Sequence, residues 1–168
     1  MIEKFKTLAF VKSSLVSLYL AFTLPIPIIS NNEFKLFSII TFVFGLFLII
    51  DITTDSIETC DKKISYKTTY LSQFLGKKSW VILWKDIKLI KSFPTSQGSK
   101  VHYFVTNKDE SFLIPQRIED LEKFVLIISK KTKLDTFGIS YISPLWTYKL
   151  LTYLSVFMII GEVIAFLS

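Results

Sequence analysis

The stretch SWVILWKDIKLIKSF (Ser79–Phe93) holds two of the chain's three tryptophans, Trp80 and Trp84, interleaved with Lys85, Lys88 and Lys91. Such a mixture suits a membrane surface, a nucleic-acid groove or the core of a small β domain, and its neighbours decide between them. Trp80 to Trp84 are apolar at every position, the pattern of a strand buried on both faces. The pair Lys85–Asp86 interrupts the run, and IKLIKSF resumes a second strand. Asp86 at such a bend is expected to bond local backbone amides and fix the turn. The stretch therefore reads as two short strands meeting at a corner. Both tryptophans then belong to the core, and the lysines mark the outward face.

The surrounding sequence supports a β domain. ISYKTTY (Ile64–Tyr70) alternates, with Ile64, Tyr66, Thr68 and Tyr70 on one face, as in a half-buried antiparallel strand. A weaker strand, DSIET (Asp55–Thr59), precedes it. KVHYFVTN (Lys100–Asn107) and SFLIP (Ser111–Pro115) read as a hairpin. After Pro115 the period changes. RIEDLEKFVLIISKKTK (Arg117–Lys133) sets Ile118, Leu121, Val125 and Ile128 along one stripe with Phe124 beside it. Its acids lie early and its lysines late, matching a helix dipole. This helix is expected to cap the open end of a sheet or barrel.

Flanking this domain are three apolar segments. The chain has 168 residues, 51% of them hydrophobic, and a mean hydropathy of +0.47, which is too apolar for an ordinary soluble domain and points to membrane spans. SSLVSLYLAFTLPIPIIS (Ser13–Ser30) and LFSIITFVFGLFLII (Leu36–Ile50) form a hairpin joined by NNEFK. Pro25 and Pro27 sit in the last turns of the first, where a kink is tolerated. PLWTYKLLTYLSVFMIIGEVIAFLS (Pro144–Ser168) is the third span. Its Lys149 is placed to snorkel beside Trp146 and Tyr148. Glu162 lies deeper and needs water or a partner: either it reaches the far interface, or it contacts Lys35 of the hairpin loop or a basic residue on a partner protein. A cleaved leader is disfavoured, because PIPIISNNE lacks a small-residue cleavage pattern and a second span follows at once. The expected division is residues 1–52 as N-terminal segment and hairpin, 53–137 as the middle domain and 138–168 as the final span. Lysines precede the first span and crowd residues 51–143, so the positive-inside rule places the N-terminus and middle domain in the cytoplasm or stroma.

The chemistry-bearing residues are sparse. The chain has one cysteine and one histidine, Cys60 and His102, which are read as an inert thiol and a plain strand residue. No metal or nucleophile site, and no cofactor, is expected from them. Asp51, Asp55, Glu58 and Asp61 read as a solvated linker face. P-loop, Rossmann, HExxH and GxSxG patterns are missing. Arg117 is the sole arginine among 20 basic residues. Nucleic-acid readers favour arginine forks, so no nucleic-acid partner is expected.

The combination of a two-span hairpin, Trp84, Asp86, Ile87 and Ile90 in a W-x-D-I-x-x-I segment, a following hairpin, the strand-end pair Ile114–Pro115 and a closing helix resembles the bacterial pleckstrin-homology-like (PH-like) membrane proteins. It is also similar to the small photosystem I assembly factor of plastids and cyanobacteria. The third span departs from the latter. The resemblance implies a PH-like, partly open β-barrel of two orthogonal sheets with a C-terminal helix, thus membrane α plus soluble α+β. It implies docking or assembly work on a membrane complex, such as a photosystem in a thylakoid, without catalysis. The docking surface is expected at an exposed sheet edge with Lys77, Lys78, Lys85, Lys88 and Lys91, and with Glu162 in the membrane. The alternatives are a module binding anionic lipid headgroups through its lysines and an accessory subunit of a transporter.

Overall fold

The first strand of the middle unit comes from the far N-terminus. In the computed structural model, which describes residues 2–96 and 98–167, strand β1 (Glu3–Lys6) precedes three helices, α1 (Ala9–Thr23), α2 (Pro25–Ile29) and α3 (Asn32–Ile52). Strands β2 (Ser56–Thr59) and β3 (Lys63–Lys67), a short helix α4 (Tyr70–Phe74) and strand β4 (Trp80–Leu83) follow. Then come β5 (Ile87–Pro94), β6 (Lys100–Thr106), β7 (Ser111–Leu113), helix α5 (Leu121–Thr132) and helix α6 (Leu145–Leu167). The residues through Leu8 and Thr54–Pro144 form one unit; Ala9–Thr53 and Leu145–Ser168 form another. The sequence groups residues 1–52 together, whereas in the structure Glu3–Lys6 pairs with Ser56–Thr59 of the middle unit.

The middle unit is α+β, with two antiparallel sheets ordered β1-β2-β3-β4 and β5-β6-β7. Phe5 lies opposite Ile57, Thr59 opposite Ile64, and Ile64 opposite Ile82. Phe104 lies opposite Phe112 in the second sheet. Between the sheets the chain makes one 3-10 turn, Trp84–Asp86, so the corner falls where Lys85–Asp86 breaks the apolar run. The Asp86 backbone carbonyl, rather than the expected side chain, ties this corner by accepting from Asn107 N at 2.9 Å. A register shift between Ile87 and Leu89 starts β5, the kind of bulge that re-aims a strand leaving a turn.

Inward residues from both sheets and α5 share one core, including Phe5, Ile57, Ile82, Ile87, Phe104, Ile114, Ile118, Phe124 and Ile128. Each such side chain contributes on the order of 1.5–3 kcal/mol by leaving water. Trp84 is 5% exposed, and its indole N–H donates to the Cys60 carbonyl at 2.7 Å. Trp80 is half-buried against Tyr66, Phe104 and Phe112. Ile90 packs on the core from the side. Pro115 follows Ile114, whose N–H donates to the His102 carbonyl.

Several details depart from the sequence reading. Strand β4 is not buried on both faces, because it lies at a sheet edge and turns Val81 and Leu83 outward. Tyr70 leaves the strand and opens α4, because the Thr69 hydroxyl caps that helix by accepting from Ser72 N. α5 starts at Leu121 rather than Arg117, while Ile118 forms an isolated bridge with Thr7. Its buried stripe runs through Leu121, Phe124 and Ile128, with Val125 only partly covered. After α5, Leu134, Ile139 and Tyr141 pack on the core. Gln116 Nε2 donates to the carbonyls of Lys100 (3.1 Å) and Ser140 (2.7 Å), and Ser99 Oγ donates to the Ile142 carbonyl. Residues 134–142 thus form a strap pinned to β6 and its flanks. The two sheets do not close into a continuous barrel.

The other unit contains three helical stretches long and apolar enough to cross a membrane: Ala9–Ile29, Asn32–Ile52 and Leu145–Leu167. The first begins earlier than Ser13 and is broken between α1 and α2 at Leu24–Pro25, because Pro25 supplies no amide for the helix ladder. Only Ser30 and Asn31 then separate α2 from α3. α1 buries Val11, Ser14, Ser17 and Ala21, and α6 buries Ser155. Small side chains let neighbouring backbones approach, and the Ser14, Ser17 and Ser155 hydroxyls bond carbonyls of their own helices. Tyr19 crosses to α3, where its hydroxyl donates to the Phe42 carbonyl at 2.9 Å and its ring stacks on Phe42. Gly45 leaves room for it: a Cβ there would stand 3.0 Å from Tyr19 Cζ. Lys149 Nζ lies 4.9 Å from the Phe10 ring centroid, a cation–π contact near the start of α6.

Candidate functional site

The corner creates two free edges. Among the described residues β4 pairs only with β3, and β5 only with β6. Beside β4 opens a groove of about 260 Å³ lined by Val81, Leu83, Asp86, Thr106, Lys108 and Phe112, among others. Val81 is 61% and Leu83 38% exposed. Lys85, Lys88 and Lys91 are exposed along the turn and β5, with Lys88 Nζ 4.0 Å from the Asp109 carboxylate. The β4 edge, with two outward aliphatics and the lysines of the turn and β5 following it, can receive an extended segment as an added strand. The lysines also discourage indiscriminate edge pairing.

The lysines singled out in the sequence do not act together. Lys85, Lys88 and Lys91 follow the corner, and Lys78 is exposed in the connection before β4. Lys77 is committed elsewhere: its Nζ lies 2.6 Å from Asp55 Oδ2. The same oxygen accepts from the Tyr66 hydroxyl at 2.8 Å. Burial first, and this bond to Asp55 second, push the Tyr66 phenol well above its ordinary range. Asp55 is thus a structural hub rather than part of a solvated linker face. Its neighbours form separate ion pairs. Glu58 pairs with Lys67 and Lys4, and Asp61 with Lys131. Lys67 holds the Glu58 carboxyl below its usual value, and Lys131 does the same for Asp61. Among the described residues no group of three or more His, Cys, Asp or Glu is arranged to hold a metal.

His102 is 2% exposed, and its Nδ1 shares a hydrogen bond with Ser92 Oγ at 2.8 Å. Burial lowers its pKa, Lys100 adds to that, and the Gly138 backbone opposes it. Its Nε2 is buried without a hydrogen-bond partner, so the side chain is tied to β5 through Ser92. The Cys60 thiol is free, and its backbone pairs with Lys63 and Trp84. Glu162 has one carboxylate oxygen buried without a hydrogen-bond partner, and among the described residues no ion pair joins it to Lys35.

One feature was not visible as a site in the sequence. α4 leaves Tyr70 93% and Phe74 89% exposed, with Leu75 at 57%. The signal was present in TTYLSQFLGKK, where Thr69 is a favourable N-cap and the next apolar residues follow helical spacing.

No family model matches the chain. It is 28% identical over 161 residues to an uncharacterized protein of Synechocystis sp., a cyanobacterium; the alignment covers 92% of this chain and 80% of that protein.

Proposed function

We propose that the chain is a non-enzymatic integral membrane protein whose middle unit docks subunits of a membrane complex during assembly or stabilisation. The carrying observation is the pair of free edges at the Trp84–Asp86 corner, with Val81 and Leu83 turned outward beside the groove and Lys85, Lys88 and Lys91 following. The order of four strands, a corner, three strands and a helix supports the PH-like reading, with the hairpin of spans between its first and second strands. The cyanobacterial relative and the resemblance to the photosystem I assembly factor favour a photosynthetic complex in a thylakoid membrane. The lysine distribution favours a stromal or cytoplasmic middle unit. The partner contributes an extended segment along β4, acidic where it passes the β5 lysines.

Affinity purification of the tagged full chain from its native membranes, read by mass spectrometry, tests this. Recovery of subunits of one membrane complex is expected, with at least tenfold loss in a Val81→Lys/Leu83→Lys variant. Recovery of no such subunits from crosslinked membranes would refute the proposal.

A further inference from the structure

The connection between β3 and β4 combines exposed apolar side chains with an anchored position. α4 buries only Ser72, while Tyr70 and Phe74 are 93% and 89% exposed and Leu75 57%. Exposed aromatics gathered in one short segment mark a contact surface rather than a core. Lys77 and Lys78 follow directly.

The Asp55 hub fixes where this segment sits along the chain path. Lys77 Nζ is bound to Asp55 Oδ2 at 2.6 Å. Asp55 is three residues beyond Ile52, the last residue of α3, so chain geometry keeps it within about 10 Å of that helix end. The Asp55 carbonyl also accepts from Thr7 N at 3.3 Å and Thr7 Oγ1 at 3.2 Å. Thr7 lies two residues before Ala9, where α1 begins. Through Asp55 and Thr7 the base of the loop is bonded to residues that closely follow α3 and closely precede α1 in the chain.

We propose that Tyr70, Phe74 and Leu75 insert into the lipid interface, with Lys78 at headgroup level. Tyrosine and lysine belong to the membrane–water interface, because each pairs an apolar body with a polar tip. Lipid is the occupant because the loop is bonded to Asp55, only three residues from the end of an apolar helix, whereas a protein partner must arrive by diffusion. The wedge is apolar, so zwitterionic lipid suffices. The proposal is independent of docking at β4 and β5, which uses other residues.

The test uses the full chain in phosphatidylcholine nanodiscs, with no other protein. Phe74→Cys in a Cys60→Ser background carries an environment-sensitive dye. Strong quenching by shallow doxyl-labelled lipid, with at least fivefold protection from aqueous iodide relative to free dye, is expected. A dye at Leu75→Cys should lose that protection when Tyr70→Ser and Phe74→Ser are added, while hydrogen exchange in β3 and β6 stays unchanged. Full iodide access with no lipid quenching would overturn the proposal. So would protection that develops only after solubilised native membrane proteins are added, which would assign the patch to a protein partner.

Discussion

Replacing Trp84 tests the corner as the keystone of the middle unit. The side chain is 5% exposed, lies in the core shared by both sheets and α5, and satisfies the Cys60 carbonyl at 2.7 Å. Trp84→Ala removes the ring and the bond together; such truncations cost about 3–5 kcal/mol. At about 4 kcal/mol, and with each 1.4 kcal/mol worth tenfold, the opening equilibrium rises about 10³-fold. Trp84→Phe keeps most of the ring but leaves the Cys60 carbonyl unpaired, costing about 1.5 kcal/mol, or roughly tenfold. Hydrogen exchange of the full chain in nanodiscs, followed by mass spectrometry on β3 and β6, reads both numbers where amides exchange through cooperative opening. Amides of α3 should be unaffected. An increase below about fivefold in Trp84→Ala would refute the core assignment. Equal effects of the two variants would show that the hydrogen bond, not the packing, holds the corner.

Two further outcomes follow from side chains in other places. His102, the sole histidine, has its pKa lowered by burial from 6.5, so the unfolded state binds the proton more readily. Its contribution is intact above pH 6.5 and is lost as pH falls from there toward the lower folded value; exchange protection of β5 and β6, which His102 and Ser92 join, should drop across that window, and His102→Gln should flatten the drop. Glu58 and Asp61, whose pKa values are lowered from 4.5 and 3.8, act only below that window and do not mask it. Gly45→Ala should loosen the packing of α1 on α3, because the new methyl meets the Tyr19 ring; crosslinking between engineered cysteines on these helices should fall several-fold, with partial recovery in Tyr19→Phe, and unchanged crosslinking would sink the argument.

The corner was legible because a charged pair interrupts an apolar run, and the hairpin and closing helix because their periods are clean. The middle strands were legible for the same reason. β1 was not, since EKFK offers a single buried residue, Phe5, and adjoins an apolar span that dominates the local pattern. The exposure of Val81 and Leu83 was missed because composition reports apolarity but not whether a strand lies at an edge. The Asp55 hub was invisible for a different reason: its partners, Tyr66 and Lys77, stand 11 and 22 positions away. The strap has no periodicity at all and depends on Gln116 and Ser99 reaching backbone carbonyls. The candidate edge was therefore anticipated in kind, while the membership of its lysines was not, because Lys77 is consumed by an internal ion pair.

The interruption of the first sheet by the hairpin has a consequence for biogenesis. β1 leaves the ribosome before α1, α2 and α3, and its partner β2 only after them. Residues 3–6 and 56–59 can pair only if they end on the same side of a bilayer. Completion of the sheet thus requires an even number of crossings between them. A nascent chain that fails its second crossing strands Phe5 across the membrane from Ile57 and leaves β2 with a raw edge. If α1–α3 cross a bilayer as proposed, the first sheet of the middle unit can be completed only after both crossings.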